Sequence, residues 1–189
     1  MKEIRIAEIR AENPAGSKTL ILSGRPIVYE ASTVINDPAG AYTEIIRRGA
    51  LDDADISDVR LMYNHDQNKV PLARTPKTMN LSKSPAGLEI EATLPNTEEA
   101  RAVYTAVERG DLSGMSFAFT VPPGGDNWNL KAKTREIFKI NKILEVSVVP
   151  FPAYPQASVE ARATMQALNS DARKQAIIAA NKILLKEFK

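Results

Sequence analysis

Through the first 155 residues, turn-forming residues recur at short intervals, and the stretches between them favour strand-forming side chains. That rhythm argues for a β-rich domain, a barrel or a closed sheet. Residues 20–22 and 25–31 flank a break at Ser23-Gly24. In residues 59–63 the apolar positions alternate (Val59, Leu61, Tyr63), a half-buried strand that runs directly into Asn64-His65-Asp66. Residues 72–81 and 88–94 form a hairpin pattern around Ser84-Pro85-Ala86-Gly87. Two more strands are expected at 114–121 and 134–149, the second with room for a bend, separated by Pro122-Pro123-Gly124-Gly125-Asp126-Asn127. A single segment in this region has helical spacing. Asn96 is its expected N-cap, Glu98 and Glu99 occupy its positive first turn, Ala100, Val103, Tyr104 and Val107 form its apolar stripe, and Gly110 ends it.

After Pro155 the character changes: glycine and aromatics thin out, and alanine, lysine and glutamine take over. The chain therefore divides into a domain over residues 1–155 and a helical C-terminal tail over 156–189. Ser170 is placed to cap a terminal helix with Ile177, Ile178, Leu184, Leu185 and Phe188 near one face. A helix packed on the domain and a docking or self-association tail both fit that pattern.

Composition then limits the chemistry. Lys and Arg number 25 against 23 Asp and Glu, a formal net charge of +2, too slight to imply a nucleic-acid or membrane partner. No apolar run approaches the roughly 18 residues of a membrane span, and the N-terminus interleaves charges with isoleucines rather than showing a signal-peptide core. A soluble cytosolic protein is expected. With no cysteine, a disulfide framework, a thiol nucleophile and a thiolate zinc site are excluded. With one histidine, a zinc site built mainly on imidazoles is excluded within one chain. A carboxylate-bound magnesium or calcium site stays open, but no calcium-loop or phosphate-loop pattern is present and no cofactor is expected. If the chain is a hydrolase, an activated Ser or Thr, or a pair of carboxylates, must do the work.

Three positions stand out. In a strand beginning at Gly114, Ser116, Ala118 and Thr120 point one way and Phe117, Phe119 and Val121 the other. The aromatic face belongs to a core; the small, polar face leaves space above Ser116 of the kind a substrate carbonyl needs. A serine on such a face is also an ordinary structural feature. His65, just past a strand end, is the only side chain of a type whose ordinary pKa lies near neutrality, hence the one obvious general base for a hydroxyl nucleophile. Such a base works best when a third group fixes its tautomer. Glu145 is the only charge in the apolar run 143–149. On an unbroken strand, Leu144, Val146 and Val148 share one face, and Glu145 and Ser147 share the other with Ile143 and Val149. A carboxylate among apolar neighbours needs a partner. Arg135, Lys139, Lys142 and the His65 imidazole are the candidates, and Asp66 is the local rival of Glu145 for the imidazole.

Taken together, these segments resemble the prohead (capsid-maturation) serine proteases of tailed phages. The resemblance is carried by Tyr42-Thr43-Glu44-Ile45-Ile46, Gly49-Ala50-Leu51, Val59-Arg60-Leu61-Met62-Tyr63-Asn64-His65-Asp66 and Gly87-Leu88-Glu89-Ile90. It continues in Gly110-Asp111-Leu112-Ser113-Gly114-Met115-Ser116-Phe117-Ala118-Phe119, Leu144-Glu145-Val146-Ser147-Val148-Val149 and Pro152-Ala153-Tyr154-Pro155, in that order, from about Leu20 to about Pro155. Where the family has Leu-Gly-Arg after the histidine, this chain has Leu72-Ala73-Arg74.

The resemblance implies an α+β, β-rich fold like that of the herpesvirus maturation proteases: a closed or barrel-like, mostly antiparallel sheet with surrounding helices, here followed by the helical tail. It implies a serine endopeptidase with Ser116 as nucleophile, chosen over Ser113 and Ser147 by the family pattern, His65 as general base and Glu145 as the orienting third member. The oxyanion donors are expected in the loop after Val149. Implied partners are the major capsid protein with its scaffold segment and the protease itself, by self-processing and as a homo-oligomer, within the assembling prohead in the host cytoplasm. Two alternatives use the same residues differently. One is a non-catalytic module that binds capsid or scaffold, with Ser116 as a strand serine; the other is an esterase or acyltransferase.

Overall fold

The structure, a computed structural model, describes residues 9–12, 19–35 and 40–150. In chain order the strands are β1 (Ile9–Glu12), β2 (Leu20–Val28), β3 (Ser32–Ile35), β4 (Tyr42–Ile46), β5 (Arg60–Tyr63) and β6 (Ala73–Arg74). Then come β7 (Met79–Ser84), β8 (Gly87–Leu94), helix α1 (Glu98–Glu108), β9 (Gly114–Thr120), β10 (Asp126–Asn129), β11 (Thr134–Ile137) and β12 (Lys142–Val149). The tail expected over 156–189, with its Ser170 cap, lies outside the described residues, as do Pro152 to Pro155 and the loop in which oxyanion donors are expected.

The β-rich character is as expected, but the closed or barrel-like sheet with surrounding helices is not what forms. The strands make three four-stranded sheets, ordered β1-β2-β8-β7, β10-β11-β4-β3 and β6-β5-β12-β9, and none of them closes on itself. Among the described residues α1 is the one helix. The physical reason is visible in the strands themselves. Each sheet ends in strands paired on one side only, β1 and β7, β10 and β3, β6 and β9, so no register runs round to closure. Two pairings, β4 with β11 and β5 with β12, are parallel; the others are antiparallel.

All three sheets contribute to one core. Leu22, Ile27, Leu88 and Ala92 from the first sheet meet Leu61, Ile143, Val146 and Val148 from the third, with Ile46 and Ile137 from the second. Helix α1 adds Ala100, Val103, Tyr104 and Val107, the stripe expected from its spacing. Its N-cap is Thr97, not Asn96: the Thr97 hydroxyl accepts from the Ala100 N–H at 3.3 Å, while the Asn96 side chain accepts from Arg101 at 2.8 Å. Both residue types cap well, so composition alone did not separate them.

Three other boundaries differ from the sequence pattern. Ser23 and Gly24 do not break β2; both pair with β8, and an irregularity falls between Gly24 and Ile27 instead. The strand expected over 72–81 is two pieces, β6 and β7, which belong to different sheets. The segment 134–149 likewise divides into β11 and β12 around residues 138–141, sending Arg135 to the second sheet and Glu145 to the third. At the β7–β8 turn only glycine fits. A Cβ on Gly87 would lie 1.8 Å from the Ile27 carbonyl oxygen, at a φ of +149°.

Candidate active site

The third sheet joins His65 to Glu145 and places Ser116 on the strand beside Glu145, with no hydrogen bond between Ser116 and His65. Strand β12 lies between β5 and β9, so whatever it presents on its outer face has neighbours from both sides. Its register with β9 slips between Ile143 and Glu145, leaving Leu144 as an extra residue with 41% exposure. This bulge resets the alternation. Ile143, Val146 and Val148 all enter the core, and Glu145 and Ser147 turn to the opposite face. Ile143 therefore does not share a face with Glu145, as it would on an unbroken strand.

Across the ladder Ser147 is paired with Ser116 of β9, and Glu145 with Ala118. Directly opposed residues of an antiparallel pair point to the same side with Cβ atoms about 5 Å apart. Ser116 is thus the immediate neighbour of Ser147 on the polar face. It is partly exposed, whereas Ser147 is fully buried. Ser113 is exposed and precedes the strand.

His65 arrives from the other side. Strand β5 runs parallel to β12, with Tyr63 level with Val148. Past its end the Asn64 N–H donates to the Val148 carbonyl at 2.9 Å and the Asp66 N–H to the Tyr63 carbonyl at 3.1 Å, which closes a four-residue turn. Its two central residues, Asn64 and His65, have φ of +53° and +59°. Asn tolerates that left-handed conformation; His does so at a cost of about 1 kcal/mol or more. The reversal carries the imidazole back over β12, where Nδ1 hydrogen-bonds with Glu145 Oε1. The two side chains are 19% and 10% exposed. A carboxylate only accepts, so Nδ1 carries the proton and, in the neutral ring, Nε2 keeps its lone pair.

The competing partners of Glu145 are committed elsewhere. Arg135 binds Glu44 and Asp126, Lys139 binds Asp53 at 2.8 Å, and Lys142 binds Asp55 at 2.8 Å. Asp66, the local rival for the imidazole, accepts instead from the Asn68 backbone and side chain at 3.0 and 3.3 Å. Of the candidates the sequence offered, His65 is the one that meets Glu145.

Two features of this arrangement were not read from the sequence. One is the left-handed turn, for which Asn64 is the only local signal. The other is the hydroxyl of Ser147, which donates to Glu145 Oε2 at 2.5 Å and accepts from the His65 backbone N–H at 3.2 Å. The spacing Glu145-Val146-Ser147 carried that information, since residues two apart on a strand share a face.

Comparison with known proteins agrees with the resemblance. The sequence profile of the family described as caudovirus prohead serine protease matches residues 6–171. The chain is similar to the prohead protease of Enterobacteria phage HK97, 26% identical over 152 residues, covering 78% of this chain and 65% of that protein. The chain thus spans just under two thirds of that relative's length. No solved structure matches.

Proposed function

The chain belongs to the caudovirus prohead serine protease family, and from that premise we propose that it is a serine endopeptidase in which Ser116 is the nucleophile, His65 the general base and Glu145 the group that orients the base. The observation that carries this reading is the His65–Glu145 pair, set over the one polar face of the third sheet with Ser116 on the neighbouring strand. An imidazole whose Nδ1 proton is held by a carboxylate has its other nitrogen free to accept a proton, the property a hydroxyl nucleophile requires.

The reaction is acyl transfer. Ser116 Oγ bonds to the carbonyl carbon of the scissile peptide as its proton passes to His65 Nε2. The C–N bond then breaks, the same proton goes to the leaving amine, and an acyl-serine ester remains. Water hydrolyses that ester by the reverse roles, with His65 again taking and returning a proton. Glu145 balances the imidazolium formed in each half-reaction and holds the ring in place. Ser147 is a poor rival nucleophile, since its hydroxyl is buried and its proton engaged.

The substrates in this reading are the scaffold segment of the major capsid protein and the protease's own chain, cleaved inside the assembling prohead. Self-processing in this reading removes parts of the tail after Pro155. Co-expression with the capsid protein tests the assignment. His65→Ala is expected to abolish processing, by on the order of 10⁴-fold or more, while leaving the fold intact. Continued processing by the folded variant would refute the base assignment.

A further inference from the structure

We propose that Ser147 is a positioning residue that fixes the Glu145 carboxylate and, through it, the tautomer of the His65 imidazole; the inference rests on the reading of His65 and Glu145 as base and orienter. Each carboxylate oxygen of Glu145 has its own donor: Oε1 takes the Nδ1 proton of His65, and Oε2 takes the hydroxyl proton of Ser147 at 2.5 Å. With one donor a carboxylate swings about its last side-chain bond. With two donors from separate elements, the β5–β6 loop and strand β12, its plane is set.

The same hydroxyl has a second task. Its lone pair accepts the backbone N–H of His65 at 3.2 Å, the residue held at a φ of +59°. Ser147 thus grips the histidine from below through its backbone and from the side through Glu145. A hydroxyl has one proton. Because that proton is spent on Oε2, Ser147 donates nothing to its cross-strand neighbour Ser116. Complete burial of Ser147 excludes water from the pair and makes the bond to the charged carboxylate a strong one.

A merely structural serine would satisfy the same buried groups, so the test must read the ring rather than the fold. The chain has one histidine, and its imidazole nitrogens therefore give a single pair of ¹⁵N signals in the full-length protein. We would record them with the ring neutral, in a Ser116→Ala background that prevents self-processing. The Nδ1–H form is expected to dominate. Adding Ser147→Ala should bring in the Nε2–H form that free imidazole prefers. In the Ser116-containing protein, Ser147→Ala should lower kcat about ten- to a hundredfold with KM little changed, the loss of one hydrogen bond to a charged group. Ser147→Thr, which keeps a hydroxyl, should recover both the tautomer and most of the rate. If Ser147→Ala does not fold, Ser147→Cys is nearly isosteric and a weak donor, and the same shift is expected of it. An unchanged tautomer in the Ala or Cys variant overturns the inference, whatever happens to kcat. Failure of the underlying reading looks different: Ser116→Ala would still cleave, a result that does not depend on the ring signals.

Discussion

Glu145 and Glu44 are both buried carboxylates on β-strands, 8% and 4% exposed, yet the surroundings of the two differ in kind. Glu44 receives its partner from the sheet ladder itself. Arg135 is its register neighbour on the parallel strand β11, bonds to it at 3.0 Å and to Asp126 of β10 at 2.7 Å, and lies 5.4 Å from the Trp128 ring centre. Burial works against the charge of Arg135, but Glu44 and then Asp126 outweigh it and hold its pKa above the usual value. The centre is built around a buried cation that does not release its proton. Glu145 instead meets a titratable ring carried on a turn outside any strand, with two consecutive left-handed residues and a side chain that reaches the surface. The first arrangement suits a fixed structural charge; the second keeps one ring nitrogen available, at a cost in backbone strain.

That contrast can be broken from either side. The largest effect on stability should come from Arg135→Met, which leaves Glu44 and Asp126 without their cation. We expect a loss of about 3–5 kcal/mol in denaturant unfolding, with cleavage per folded molecule preserved. Glu145→Gln should do the converse. Its amide can hold the ring in the wrong tautomer, so kcat should fall about a hundredfold or more while the unfolding midpoint moves far less. A smaller effect separates strain from chemistry. His65→Gly should be more stable than His65→Ala by about 1 kcal/mol, because glycine accepts the positive φ, and both should be inactive. Equal stability of the two would mean that the turn is not held in the left-handed region.

The smallest effects belong to the exposed pairs that belong to neither centre. Asp55 is held well below the usual carboxylate range by its bond to Lys142 and by Ser57. Asp58 is lowered by Arg74, Glu30 by the Arg48 N–H and then the Arg47 guanidinium, and Glu89 by Arg25. A carboxylate whose pKa is lowered on folding stabilises the native state above its unfolded pKa, near 4, and that contribution fades as pH falls below it. The melting temperature should therefore be nearly flat from neutrality to about pH 5 and decline through pH 4 and below. Added salt should blunt the decline, since these pairs are exposed.

The sequence carried the strand that delivers His65, because Val59, Leu61 and Tyr63 alternate, and it carried Glu145, a lone charge in an apolar run. It also placed Ser116 on the polar face of β9, with Phe117 and Phe119 stacked at 5.1 Å between ring centres on the other. What it did not carry depends on pairing between distant segments. The bulge at Leu144 is defined only against β9, and without it Ile143 falls on the wrong face. The assignment of Arg135 and Glu145 to different sheets depends on which strands β11 and β12 find, information absent from either segment alone. The barrel expectation failed for the same reason: short strands are readable locally, but sheet closure is a property of their register around the whole molecule.

The central claim, that Ser116 is a nucleophile activated by His65, is tested most directly by fluorophosphonate labelling of the folded protein with the modified residue located by peptide mass analysis. The adduct should map to Ser116 and disappear in both Ser116→Ala and His65→Ala. Labelling that persists unchanged in Ser116→Ala, or an adduct on Ser147, would contradict it.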